Sequence, residues 1–196
     1  MSPEFEIRHE LISDLMHHLD RKGALGLCEC DKEKKAFIEG LKMPMTLKRM
    51  FQWSWPSKWA DLPPYRLAPL NEVFSGDCFP RFFAAGMLIL GAAKNGDCLV
   101  LRIYPDRHEM GLLNTTQFAG EDSDTSPELF YTRVCGSLDE LLFRMTEERF
   151  LPIDYWSAVE LNQLKHEIGE DGADDASKRI GFIGSSSDDL KQAPKS

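Results

Sequence analysis

The sequence predicts an α+β fold, with a central, mainly antiparallel sheet arranged as a meander and helices flanking it on the N-terminal and C-terminal sides. Three observations carry that expectation. Asn95-Gly96 stands between two aliphatic runs, LILGAAK and DCLVLRIY, which is the strongest short-range signal for a β-hairpin. The stretch Glu4 to Arg21 repeats apolar residues at helical spacing. Ser137-Leu138-Asp139-Glu140 supplies the hydroxyl and the carboxylate of a capping box at the head of a third apolar pattern.

Taken in order, Ile7, Leu11, Leu15 and Leu19, with Ile12 and Met16 beside them, give one stripe on a first helix that Gly23 can stop. Asp31 to Leu41 is a weaker helix, offering Ala36, Phe37, Ile38 and Leu41 to the interior. Thr46 is placed to cap a short helix through Phe51, with Leu47, Met50 and Phe51 facing inward and Pro56 forbidding continuation. Trp53, Trp55 and Trp59 crowd a proline-rich stretch. A satellite core of rings is the favoured reading over a ligand-binding aromatic surface, because large rings are mostly buried. Tyr65 to Phe74 is expected to be partly extended and to lead into the sheet.

With Asn95 and Gly96 as the two loop residues of a type I′ turn, Lys94 faces Asp97, and Ala92 pairs with Leu99, Leu90 with Leu101 and Leu88 with Ile103. Those last six residues then share the core face. Ala93, Gly91, Ile89 and Met87 share the other with Cys98, Val100, Arg102 and Tyr104, a mixed set suited to a partly covered surface. Met110 to Asn114 is a third strand after a polar connection at 105–109. A polar loop over Thr115 to Glu128 precedes a fourth from Leu129 to Cys135. Leu138, Leu141, Leu142 and Met145 form the buried stripe of the capped helix. Beyond Pro152, Tyr155, Val159, Leu161, Leu164 and Ile168 give an incomplete face to a last one over Asp154 to Ile168. The expected organisation is a single domain over 1–168 and a flexible tail, rich in Gly, Ser and Asp, over 169–196.

Composition narrows the function. The chain has 196 residues, 42% hydrophobic and 28% charged, which suits one globular domain and lacks the roughly 20-residue apolar run of a membrane span. Its opening, MSPEFEIRHE, has no basic region followed by an apolar block, so a cytoplasmic location is expected. Five cysteines are an odd number and fit reduced thiols. A net charge of -9 argues against nucleic acid and anionic membranes as partners and favours a basic protein.

No motif points to a cofactor, a metal or a catalytic residue. Cys28-Glu29-Cys30 has the wrong spacing for a zinc or redox pair, and His9, His17 and His18 do not converge on their helix. Glu121, Asp122 and Asp124 lack the twelve-residue pattern of a calcium loop. Cys98 with His108 is the one local pair that suggests thiol chemistry, and a strand is a poor place for a stabilised thiolate.

Four pieces in order, the helical LKRMFQW followed by a Trp/Pro loop, LILGAAKNGD, CLVLRIY and SLDELLFRM, resemble the SMI1/KNR4 (SUKH) superfamily over about residues 44 to 160. The Gly-Gly-like turn of that pattern is replaced here by Ser54-Trp55-Pro56. The resemblance implies an α+β fold and a non-enzymatic binding role. Bacterial members are chiefly immunity proteins that neutralise polymorphic toxins, often nucleases, while fungal relatives act as signalling scaffolds. The expected function is therefore immunity to a basic toxin domain, with carboxylates imitating nucleic-acid phosphates. Asp97, Asp106, Glu109, Glu121, Asp122 and Asp124 are the expected contacts. The alternatives are a scaffold with several weak partners, using the Trp-rich region and the tail, and a hydrolase joining Cys98, His108 and an acid.

Overall fold

Residues 3–21, 25–75, 79–104, 107–119, 125–147 and 149–168 are described by the structure, a computed structural model. In chain order the elements are α1 (Pro3–Arg21), β1 (Leu27–Cys28), α2 (Lys32–Gly40), α3 (Met45–Trp53), β2 (Trp55–Pro56), β3 (Ala60–Leu62), β4 (Tyr65–Leu67), α4 (Leu70–Val73) and α5 (Phe79–Ala84). They continue with β5 (Met87–Ala93), β6 (Cys98–Ile103), β7 (His108–Leu113), α6 (Thr115–Phe118), a 3-10 turn (Pro127–Phe130), β8 (Tyr131–Cys135), α7 (Leu138–Thr146) and α8 (Tyr155–Ile168). Strands β3 to β8 form one six-stranded sheet in sequence order, every neighbouring pair antiparallel, while β1 and β2 make a separate ribbon. The α+β meander expected from the sequence is the architecture found, extended by β3 and β4.

The register of the central hairpin differs from the expected one, and the difference has a physical cause. Ala93 N–H donates to Asp97 O at 2.8 Å and Gly96 N–H to Ala93 O at 3.0 Å, so the loop holds three residues, Lys94, Asn95 and Gly96. Gly96 has φ +95°, the left-handed position such a loop requires, and Asn95 Oδ1 accepts from Asp97 N–H at 3.0 Å. Pairing therefore starts one residue away from the type I′ register, with Ala92 opposite Cys98 and Gly91 opposite Leu99. A bulge at Leu90 adds a second shift, and beyond it Leu88 faces Leu101. Two shifts of one residue bring the alternation back into phase. Leu88, Leu90, Leu99 and Leu101 thus share the main core as expected, while near the turn Ala93 takes the buried place expected for Ala92.

On that core face, Ile12, Met16 and Leu19 of α1 pack with Leu47, Met50 and Phe51 of α3 and with Leu138, Leu141, Leu142 and Met145 of α7. Fully burying one such side chain stabilises the fold by about 1.5–3 kcal/mol. All four α7 positions read from the sequence are buried, and Ser137 Oγ accepts from Glu140 N–H at 3.2 Å while Glu140 Oε2 accepts from Gly136 N–H at 2.6 Å. The α1 stripe is centred on 12, 16 and 19, with Leu15 at its border; Ile7, Leu11 and Gly23 lie outside the described residues or side chains. On the opposite face Phe82, Met87, Val100 and Leu113 form a second cluster with Ile89, Cys98, Phe118, Phe130 and Tyr131.

Several local expectations are corrected. Thr46 lies inside α3 and is buried; Pro44 precedes the helix, which has no side-chain cap. In α2 only Ile38 is buried, Asp31 Oδ1 caps through Lys34 N–H at 2.8 Å, and Ala36 and Phe37 face outward. The strand expected from Leu129 begins at Tyr131, because Pro127 starts a 3-10 turn that leaves Leu129 exposed. The tryptophans divide. Trp55 is fully buried and donates to Ala68 O at 2.9 Å, whereas Trp53 and Trp59 remain exposed. On α8, Ala158 and Leu161 are buried, Tyr155, Val159 and Leu164 are half-buried, and the Ile168 side chain is outside those described. Residues 169–196 lie outside the described residues, and no described helix is long and apolar enough to cross a membrane.

Candidate functional site

Three connections meet at one end of the sheet: the Pro63-Pro64 turn between β3 and β4, the Lys94–Gly96 loop between β5 and β6, and the Ile153-Asp154 segment ahead of α8. They enclose a groove of about 990 Å³ whose lining includes Trp59, Asp61, Arg66, Lys94 and Ile153. Each wall is pinned to another by a bond that the chemistry of its residue dictates. Tyr65 is buried, and its hydroxyl donates to Pro152 O at 2.6 Å, which fastens β4 to the α8 approach. Burial is the main influence that pushes this hydroxyl's pKa well above the usual tyrosine range, so it stays a donor. Asp97 Oδ2 accepts from Tyr155 N–H at 2.9 Å and from Asn95 Nδ2 at 2.7 Å, which fastens the β5–β6 loop to the first residue of α8. Asp154 caps the same helix, its Oδ1 accepting from Ser157 N–H at 2.8 Å.

On that frame the rim presents large apolar surface. Trp59 is 38% exposed and Ile153 58% exposed, and Trp156, 55% exposed, stands on the first turn of α8 three residues after Ile153. The Trp59 ring is held, not loose: its Nε1 donates to Glu72 Oε1 at 2.9 Å, and the Arg66 guanidinium lies 5.2 Å from its ring centre. Arg66 is in turn paired with Asp61 at 2.7 Å. A rigid aromatic beside an exposed aliphatic on a pinned groove is the composition of protein-binding hot spots.

The acids expected as partner contacts are distributed differently. Asp97 is not at the surface; it is 4% exposed and its carboxylate is committed to Asn95 and to the α8 N-terminus, so that expectation is corrected. Glu109, opposite Arg102 on the far end of the sheet, is partly buried and accepts from the Tyr104 hydroxyl at 2.8 Å, with Arg133 Nε 3.9 Å away. Around it Arg102 stacks on Tyr104 and Tyr131 and pairs with Glu128, and Arg107 lies over Tyr104. The Tyr131 ring covers Gly111, where an added Cβ would come within 2.3 Å of it. Burial, followed by the nearby Glu109 carboxylate, pushes the Tyr131 hydroxyl upward. Among the described residues this is an aromatic and arginine cluster in which Glu109 is the internal counter-charge, without a row of free carboxylates. Asp106, Glu121, Asp122 and Asp124 lie outside the described residues.

Cys98 opens β6, whereas His108 pairs with Ile103 at its other end, about 17 Å away at strand rise. Cys98 packs in the cluster on one face of the sheet, and the His108 Nε2 lies 4.0 Å from Asp139 Oδ1 of α7 on the other. The pair cannot act together, which removes the basis for a thiol hydrolase built on it. Among the described residues Cys28, Cys30 and Cys135 are free thiols, and no group of three His, Cys, Asp or Glu side chains has the arrangement of a metal site. Burial pushes the Cys135 thiol up to about 12, with Glu140 adding to the shift, so it is a poor nucleophile. His17 and His18 are exposed on α1, and the His9 side chain is outside those described.

Sequence reasoning missed Ile153, Trp156 and the Trp59–Arg66 stack as surface features. The proline doublet at 63–64 and the isolated Ile153 between Pro152 and Asp154 were the available signals. No family model, curated protein or solved structure matches this chain.

Proposed function

We propose that this chain is a non-enzymatic protein-binding module that grips its partner with the groove at the turn end of the sheet. The observation that carries the reading is the pairing of an immobilised, exposed Trp59 with the exposed Ile153 across a groove whose walls are fastened by Tyr65 and Asp97. Such anchors bind with little ordering cost, because the scaffold has already restricted them.

The partner favoured is a basic toxin domain, and the role is immunity of the SMI1/KNR4 (SUKH) type in the cytoplasm. A meander flanked by helices agrees with what that family resemblance implies, and the net charge of -9 would steer a cationic partner toward the chain. Phosphate mimicry by Asp97 is not part of the proposal. Steering comes from the summed charge and affinity from the apolar rim. A scaffold with several weak partners is the second reading, favoured by the exposed Trp53, which does not line the groove and whose ring carries the Lys35 ammonium 3.5 Å from its centre.

Co-expression with the product of the neighbouring open reading frame tests the reading. The expected result is a one-to-one complex that survives gel filtration, associates more slowly as salt is raised, and is lost with Ile153→Asp. A complex indifferent to both Trp59→Ala and Ile153→Asp would overturn the groove as the binding surface.

A further inference from the structure

The groove has a candidate occupant within the same chain. Residues 169–196 follow α8, and their large apolar residues are concentrated at Ile180, Phe182 and Ile183, directly after the basic pair Lys178-Arg179. The groove offers the complementary apolar chemistry, Trp59, Pro63, Pro64 and Ile153, while its charged lining is balanced, Asp61 and Asp154 against Arg66 and Lys94. We propose that the segment Lys178–Ile183 docks in this groove and competes with the partner for it. The inference rests on the proposed function only for what the competition regulates; the docking itself stands on the groove.

The reach is sufficient. The groove ends at Ile153-Asp154, where α8 begins, and the 14 residues of α8 carry the chain about 21 Å away at the rise of a helix. Residues 169–177 can span up to about 30 Å when extended, enough to return along the helix. Because the segment is tethered, its local concentration is in the millimolar range, so even a weak contact is populated. The rim also has a place for it in the sheet. β3 is the terminal strand of the six, only Ala60–Leu62 long, and an extended Ile180-Gly181-Phe182 added beside it would direct Ile180 and Phe182 to one face.

The test uses the full chain labelled with 15N and needs no partner, so its failure and the failure of the protein-binding reading are distinguishable. Phe182→Asp should move the Trp59 indole N–H and Ile153 amide resonances. A peptide of residues 178–184 added at millimolar concentration to that variant should return them toward their wild-type positions. Ile153→Asp, at an exposed position, should shift the amides of 180–183 in turn. Trp59 and Ile153 resonances that coincide in wild type and Phe182→Asp would overturn the proposal, as would a peptide that leaves them unmoved.

Discussion

Replacing Asp97 by alanine removes the side chain that joins the hairpin loop to the last helix. Its Oδ2 accepts from Tyr155 N–H at 2.9 Å and from Asn95 Nδ2 at 2.7 Å, at a residue only 4% exposed. A hydrogen bond to a charged group contributes about 1.5–3 kcal/mol, and the Asp97 carboxylate accepts from both Tyr155 N–H and Asn95 Nδ2. Water reaches the Asn95 amide more easily than the first N–H of α8, so the two losses do not add fully. A destabilisation of about 3 kcal/mol follows, which for a chain of this size lowers the unfolding midpoint by about 6–12 °C. Asp97→Asn keeps the volume and one carbonyl oxygen, and should lose about half as much. Thermal unfolding followed by circular dichroism, with urea titration for the slope, reads both variants. If Asp97→Ala unfolds within about 1 °C of wild type, the carboxylate does not fasten these elements, and Asp97 returns as a candidate surface contact.

Gly91→Ala should prevent native pairing of β4 with β5, since an added Cβ would lie 1.9 Å from Arg66 O on a strand that cannot retreat; the expected readout is insoluble or unfolded protein. Ser137→Ala removes the acceptor for Glu140 N–H and should cost about 1 kcal/mol in urea unfolding, with Ser137→Asp restoring most of it. The Cys135 thiol, held at about 12 in the fold against 9.0 in the unfolded chain, retains its proton better when folded. The folded state therefore binds more protons between those values, and stability present below pH 9 is lost as pH rises toward 12, by up to about 1.4 kcal/mol per pH unit. Urea midpoints at pH 8 and pH 10.5 should differ, and Cys135→Ala should show a smaller drop; equal drops in both would refute the assignment.

Where local chemistry alone decides an element, the sequence was sufficient. The α7 cap and its four buried residues follow from Ser137, Glu140 and a 3-4 apolar spacing, with no long-range contact needed. The hairpin shows the limit of that logic. Asn95-Gly96 does mark the turn, but whether two or three residues fill the loop depends on Asp97, whose carboxylate is drawn to a helix terminus 58 positions away. The bulge at Leu90 is likewise invisible locally, because it serves to bring Leu88 and Leu90 to one core. Charge gave the least guidance to the site. Asp97 and Glu109 are equally acidic in sequence, yet one is a buried staple and the other the counter-ion of an arginine and tyrosine cluster. Of the walls that frame the exposed Trp59 and Ile153, the sequence shows only the proline doublet at 63–64 and the isolated Ile153 between Pro152 and Asp154.

The most direct measurement is the affinity of the isolated partner complex, by calorimetry, for wild type and for Trp59→Ala with its fold confirmed by circular dichroism. The groove reading predicts a loss of at least about 2 kcal/mol, roughly thirtyfold in Kd, as expected when a central aromatic anchor is truncated. An unchanged Kd in a folded Trp59→Ala variant would contradict it.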